Sequence, residues 1–465
     1  DDGYVSVTRN AQSDAPTWEN VTPPDAPDFV RINTIEASPH TPGKAYVSGI
    51  RYLVDNDRSP YVWKTEDYGQ TWTKITNGIP DDDFVRATRE DIVRRGMLYA
   101  GTERTVYVSW NDGENWQPLS QNLPVVQVSD LVVEDNDLVI GTHGRSFWVM
   151  RDIGILRQMT PEVVTSDWWL FDPKDPVRGF DNATTVQYYL PEAADEITVE
   201  IMDSDGDIIF TSTAGGDDDE PVEAAAGGRG GGRGGFSGTI RPSRSAGSKT
   251  FRWNQRLPSW TDFEGRIFWA AGPVGPAVVP GQYQVNMTVD GETQSREFEI
   301  KMNPRVLAEG VTVADLQARH DLAIMIRDRV TQANEAVLQM RSIKTQIDDR
   351  TEENDNAELA SLAGTVAERL TSVEGEIYQI QNRSGQDPLN YPIKLNNKIA
   401  ALLNHVEGAE NRPTDQSVEV FDTLSDLLDV EIGQMTLVIQ QDLARLNALL
   451  RELGMEPIDA SKLIA

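Results

Sequence analysis

The feature that most constrains what this chain can fold into is a short stretch that occurs twice. Thr65-Glu66-Asp67-Tyr68-Gly69-Gln70-Thr71-Trp72 and Ser109-Trp110-Asn111-Asp112-Gly113-Glu114-Asn115-Trp116 share the form Ser/Thr-x-Asp/Asn-x-Gly-x-x-Trp, 44 residues apart. A worn copy, Met150-Arg151-Asp152-Ile153-Gly154, keeps the Asp and the Gly 41 residues further on. Thr8-Arg9-Asn10 with Thr17-Trp18 reads as an upstream copy; Trp18 and Trp72 are 54 residues apart, and the excess of ten matches an insertion around residues 52–60. A period in the low forties in strand-like sequence is the signature of β-propeller blades.

The residue types have a local explanation. A short polar side chain accepts hydrogen bonds from the N–H groups of its own turn, and Gly supplies a positive φ. The Trp then buries its ring against a neighbouring sheet. Thr65, Asp67, Gly69, Trp72, Ser109, Asn111, Gly113 and Trp116 therefore read as hairpin staples, not as a reaction centre. Between the copies run short alternating segments such as Ala45-Tyr46-Val47-Ser48-Gly49, Met97-Leu98-Tyr99-Ala100-Gly101 and Asp137-Leu138-Val139-Ile140-Gly141, with Gly49, Gly101 and Gly141 at matching places. Residues 1–154 are expected to be the C-terminal blades of a propeller, followed by a connector over 155–183. The chain starts in the middle of a blade pattern, so closure is expected from an upstream segment of the same gene product or from another chain. Alone, residues 1–154 are expected to be insoluble or oligomeric, since each blade buries its apolar faces only against the next.

A second all-β region spans 184–303, with strand-like runs and the Asp-Gly turns Asp205-Gly206 and Asp290-Gly291. Its spacing predicts an Ig-like β-sandwich, interrupted by a Gly-rich stretch, 214–247, expected to be flexible and dispensable for folding. Asp203, Asp205 and Asp207 lack the Gly and Glu placement of a calcium loop and read as a plain hairpin turn. From 304 to 465 apolar residues recur at helical spacing, predicting an all-α bundle of long helices. Thr312-Val313-Ala314-Asp315 is a helix-starting cap. Expected helices run to about 349, over 356–381, 391–407 and 415–453.

With 42 Lys and Arg against 74 Asp and Glu, the formal net charge of -32 excludes a general nucleic-acid binder. The absence of cysteine excludes disulfides and thiolate chemistry. No apolar run is long enough to span a membrane. His320 and His405 have no second ligand at metal spacing, and the sequence implies neither a metal nor a cofactor. His143 and Arg145, in Gly141-Thr142-His143-Gly144-Arg145, are the candidates for a funnel or ligand contact, suited to an anion.

The repeated stretches resemble the Asp-boxes (BNR repeats) of sialidases, xyloglucanase-type hydrolases and sortilin-type receptors. The order of segments, with Gly-Thr-His-Gly-Arg-Ser-Phe-Trp closing the propeller part and Gln381-Asn382-Arg383-Ser384-Gly385-Gln386-Asp387-Pro388 in the tail, resembles bacterial sortilin-like or glycosyl-hydrolase-like BNR proteins. The resemblance implies boxes at the blade periphery and a secreted, periplasmic or cell-surface location. It carries over no complete catalytic set. The expected function is a non-catalytic binding or scaffolding protein that recognises protein or glycan. The alternative is a glycoside hydrolase, for which Asp81, Asp82, Asp83, Glu90 and Asp91 would supply acids.

Overall fold

A computed structural model describes residues 3–181, 183–215, 241–352 and 356–462. The chain divides into two compact units, Asp1–Thr165 and Ser166–Ala465.

The first unit is a series of antiparallel meanders. A short pair, β1 (Ser6–Val7) and β2 (Glu19–Asn20), is followed by a four-stranded sheet of β3 (Arg31–Ala37), β4 (Ala45–Arg51), β5 (Asp57–Thr65) and β6 (Thr73–Lys74). The same order recurs in β7 (Val85–Glu90), β8 (Leu98–Thr102), β9 (Val106–Ser109) and β10 (Gln117–Pro118), and three strands of it in β11 (Val128–Glu134), β12 (Asp137–Thr142) and β13 (Phe147–Met150). This is a propeller-like arrangement of successive sheets, and the cores lie between them. Tyr46, Val62 and Ile75 of one sheet share a core with Val85, Leu98 and Trp116 of the next. Met97, Tyr99 and Leu119 in turn share one with Leu131, Leu138 and Ile153. No sheet covers its own apolar face, so stability is a property of neighbours.

The worn third copy behaves differently from the other two. After Asp152, at φ +57°, the chain does not form a hairpin with a fourth strand. It enters a helical turn, α1 (Gly154–Gln158), followed by α2 (Pro161–Thr165). Arg157 stands where the repeat would place Trp. Its guanidinium reaches the buried Asp91 carboxylate at 2.9 Å, while the Arg94 guanidinium donates to the carbonyls of Arg157 and Met159 at 2.8 and 2.7 Å. Polar ties thus hold α1 where a strand pair holds its counterparts.

The second unit begins with β14 (Trp169–Leu170), β15 (Thr184–Leu190), β16 (Ile197–Met202), β17 (Ile208–Ala214), β18 (Gly247–Trp253), β19 (Gly281–Val289) and β20 (Glu292–Ile300). They form two sheets, ordered β14-β15-β18 and β17-β16-β19-β20. Alternate residues of both face one core, including Val186, Tyr188, Ile197, Val199, Trp253 and Val285. The Asp203 turn is a hairpin in which the Asp203 carboxylate accepts from the Asp205 and Asp207 N–H groups, both at 3.0 Å. Of the expected flexible stretch 214–247, residues 216–240 lie outside those described.

Helices follow: α3 (Pro304–Ala308), α4 (Val313–Thr351), α5 (Ala357–Ile377), α6 (Leu395–Val406), α7 (Asp415–Leu437) and α8 (Ala444–Glu452). The Thr312 and Asp315 side chains form the reciprocal cap at the start of α4. The single helix expected over 415–453 is interrupted by a π-helical stretch, Val438–Leu443.

Sheets and helices of this unit are joined by more than a linker. The segment between β18 and β19 lies on the helices, with Trp260 and Phe263 in the helical core. Asn397 on α6 accepts from the Trp269 N–H at 2.7 Å and donates to the Trp269 carbonyl at 2.8 Å, pairing as a strand residue would. Asn334 and Asn404 donate to the carbonyls of Thr261 and Ala270 at 2.7 and 2.6 Å. These bonds satisfy backbone groups that burial would otherwise leave unpaired.

Nearby, Arg178 and Arg319, both nearly buried, share the Glu410 carboxylate at 2.7 and 3.3 Å. His320 on α4 bonds the Ala277 carbonyl through Nδ1 at 2.8 Å. Burial holds its imidazole below the usual histidine pKa, favouring the neutral ring. An unfolded histidine titrates at about 6.5, so below that pH the unfolded chain binds the extra proton and folding stability falls. Thermal melts at pH 7.5 and 5.5 are expected to show a smaller acid loss for His320→Gln than for the parent chain. Equal losses would remove His320 from the account.

Candidate functional site

The first strands of the three sheets, β3, β7 and β11, lie side by side. Each carries a β-bulge near its start, beside the matching glycine of the next strand. The register slips between Ile32 and Thr34, between Val85 and Ala87, and between Val128 and Asp130. The extra residues are Asn33, Arg86 and Ser129. Gly49, Gly101 and Gly141, the matching glycines of the sequence, pair with a residue bordering each bulge. At Gly101 a Cβ would come within 2.6 Å of Val128 Cγ1, and at Gly49 within 2.8 Å of Val30 Cγ2, so these places admit no side chain without movement.

A bulge re-aims a side chain out of the regular alternation. Here Asn33, Arg86 and Ser129 line one cavity of about 370 Å³, together with Arg31, Tyr52, Arg89 and Asp130. Arg86 is held in place from several directions. Its Nε and Nη2 donate to Glu103 Oε2 at 3.0 and 2.9 Å, and its Cζ lies 5.0 Å from the Phe84 ring centroid and 5.6 Å from that of Tyr52. Those two rings stack on one another at 4.8 Å. The Thr34 hydroxyl donates to the Arg86 carbonyl at 2.9 Å, tying β3 to β7.

Arg89 bridges the sheets on the other side. Its Nε donates to the Leu131 carbonyl at 3.0 Å, its Nη2 to Asp130 Oδ1 at 2.8 Å, and its Nη1 lies 3.4 Å from Glu36 Oε2. Burial pushes the Glu36 carboxyl above its ordinary pKa, with Arg89 acting against that rise. The result is a polar groove whose two arginines, Arg86 and Arg89, are already held by protein partners, which lowers the cost of ordering them on binding.

The repeated boxes lie elsewhere, at the turns after the third strands. Thr65 Oγ1 donates to Asp67 Oδ1 at 2.9 Å and accepts from the Gly69 N–H at 2.9 Å; Asp67 Oδ1 also accepts from the Thr71 N–H at 2.8 Å. Ser109, Asn111, Gly113 and Asn115 repeat these bonds at 3.0 Å each. The upstream copy repeats them in part: Asn10 Oδ1 accepts from Thr8 Oγ1 at 3.0 Å and from the Thr17 N–H at 2.9 Å. Trp72 and Trp116 each reach back one sheet, donating to the Val21 and Ile75 carbonyls at 2.7 and 2.8 Å. A Cβ at Gly69 would sit 2.6 Å from Val21, and one at Gly113 2.5 Å from Ile75. Both glycines also have φ near +85°. Gly69→Ala and Gly113→Ala are therefore expected to lower the urea midpoint by strain and clash together. An unchanged midpoint would show that the turn relaxes freely.

His143 and Arg145 are exposed at the turn from β12 to β13. The His143 N–H donates to the Gln127 carbonyl at 2.9 Å, and the Arg145 carbonyl accepts from Trp148 Nε1 at 3.0 Å. Neither lines the cavity. The acidic run is also spread out. Asp82 pairs with Arg104, Asp83 is buried against the Thr102 hydroxyl at 3.0 Å, and Glu90 accepts from the Gly96 N–H at 2.8 Å. Among the described residues no three His, Asp or Glu side chains gather in a way that would hold a metal ion. No described helix is long and apolar enough to cross a membrane.

No family model matches the sequence, and no curated protein matches it. Solved structures do show likenesses. YCF48 bound to D1 peptide is 16% identical with a TM-score of 0.24, over 42% of this chain and 71% of that one. The extracellular domain of BT4673 from B. thetaiotaomicron is 8% identical with a TM-score of 0.21, over 59% of this chain and 31% of that one. An ancestral GH74 enzyme is 10% identical with a TM-score of 0.21, over 58% of this chain and 42% of that one. This chain thus spans less than half of the latter two, and TM-scores this low carry no argument about function.

Proposed function

We infer that the first unit is a ligand-binding module of an exported Asp-box, sortilin-like protein, and that its ligand, a protein segment or a glycan, enters the groove over β3, β7 and β11. The observation that carries this reading is the threefold bulge, which presents Asn33, Arg86 and Ser129 to one cavity. The Asp-boxes act as staples between sheets, and the second unit adds an Ig-like sandwich and a helical bundle. Catalysis is disfavoured by the state of the acids. A glycosidase needs one carboxyl free to protonate a leaving group and another free to attack or to activate water, whereas Glu36 and Asp130 share the Arg89 guanidinium.

The raised Glu36 carboxyl beside Asp130 is nonetheless the observation that keeps hydrolysis as the second reading. Peptide and glycan arrays probed with the whole chain test both. The binding reading expects retained ligand and no product, with affinity lowered about tenfold, or about 1.4 kcal/mol, by Arg86→Ala. Release of sugar that Glu36→Gln abolishes would establish the hydrolase instead.

A further inference from the structure

We propose that the outward face of α7 is a docking seam for a basic amphipathic helix of another protein. The helix is apolar on two sides. Phe421, Leu428 and Met435 are buried in the helical core. On another side Val420, Leu427, Val430 and Leu437 are 46%, 49%, 58% and 41% exposed. Their spacing of seven, three and seven residues is that of heptad a and d positions, with Thr423 and Gln434 filling the intervening places. A surface helix ordinarily turns polar residues outward. This one instead presents a narrow apolar stripe of the width one partner helix covers. The seam runs eighteen residues, about 26 Å from end to end at 1.5 Å per step, long enough for some five turns of a partner.

Charge selects the partner. In that register Glu419 and Asp426 stand at g and Glu431 at e, beside the seam, with Asp422 and Asp429 further out at c, and α7 contains no Lys or Arg. Asp429 is paired with Arg329 at 2.7 Å; burial and the nearby Glu376 raise the Glu431 carboxyl, with Lys394 opposing them. A second copy of α7 would set acid against acid across the seam, which is destabilising. A helix with Lys or Arg at its e and g positions would set base against acid, as coiled-coil flanks do. The polar Thr423 and Gln434 would fix the register of that pairing.

The test uses the whole chain and two synthetic 21-residue helices with the same leucine seam, one flanked by Lys and one by Glu, read by fluorescence anisotropy. The Lys-flanked peptide is expected to bind, more weakly as salt rises, and the Glu-flanked peptide at least tenfold more weakly. Leu427→Asp with Val430→Asp is expected to lower binding at least tenfold while leaving the far-UV spectrum and melting temperature near those of the parent, because both side chains are exposed. Failure of the Lys-flanked peptide to bind, equal binding of the two peptides, or full binding by the double variant would each overturn the proposal. So would self-association of the parent chain in sedimentation that the double variant abolishes, since a second copy would then be the occupant.

Discussion

Glu410→Ala is expected to be the most destabilising single change in the helical half of the chain, at about 3 kcal/mol. Arg178 and Arg319 have side chains only 7% and 3% exposed, and both rely on this carboxylate. Burial lowers the Arg319 pKa, and Glu410 opposes that shift, so the pair is balanced against a desolvation cost. Arg178 also donates to the Val278 carbonyl, and Arg319 to the Ala409 carbonyl at 2.6 Å. Removing the acid leaves two buried cations with backbone partners only, and stranded buried charge is the costly case. The urea midpoint of Glu410→Ala, compared with Glu410→Gln, reads the effect. Glutamine retains one acceptor and should lose less. Equal, small losses for both would mean that solvent reaches the two arginines.

The second large effect is expected at Asp112, within the second box but not one of its turn-bonding residues. Its carboxylate accepts from Lys44 Nζ and Lys64 Nζ, both at 2.7 Å, and from the Tyr46 hydroxyl at 2.6 Å. Lys44 and Lys64 belong to the preceding sheet, so one acid clamps two sheets. Burial raises the Asp112 carboxyl, but the Lys44, Lys64 and Tyr46 donors outweigh it, and the pKa lies below the ordinary aspartate value. Asp112→Ala leaves Lys44, only 5% exposed, with the exposed Glu66 carboxylate at 3.3 Å as its remaining ion pair; with Asp112 itself partly exposed, about 2 kcal/mol is expected. Asp67, the acid of the first box, is solvated and serves its own turn, so Asp67→Ala should lower the melting temperature less. A reversed order would place the inter-sheet clamp at Asp67.

What was legible in the sequence follows from what is local. The box is a self-contained turn, so its residue types and spacing report it directly, and so do the alternating strands between copies. The Thr312–Asp315 cap is legible for the same reason. The groove was not. Asn33, Arg86 and Ser129 share no residue type, because a bulge is set by register against the next strand and leaves the bulged side chain free to vary. The only trace was Gly49, Gly101 and Gly141, whose matching positions border the three bulges. His143 and Arg145, the candidates for a funnel or ligand contact, stand at the exposed turn from β12 to β13 and are not among the residues that line this cavity. The attachment of residues 254–280 to the helices was equally hidden. Its partners, Asn334, Asn397 and Asn404, lie about seventy to one hundred and thirty residues away and look like ordinary polar helix positions. The break after Leu437 was invisible because apolar spacing runs through a π-helical stretch without interruption.

The central claim is that ligand recognition belongs to the bulged strands and not to the boxes. It is tested most directly by titrating one array-selected ligand into three forms of the chain: the parent, Asp67→Ala, and Asn33→Ala with Arg86→Ala. The account predicts near-parental affinity for Asp67→Ala despite its lower melting temperature, and at least a tenfold loss for the groove variant at a temperature where it remains folded. Parental affinity in the groove variant, with binding lost in Asp67→Ala while it remains folded, would contradict the account.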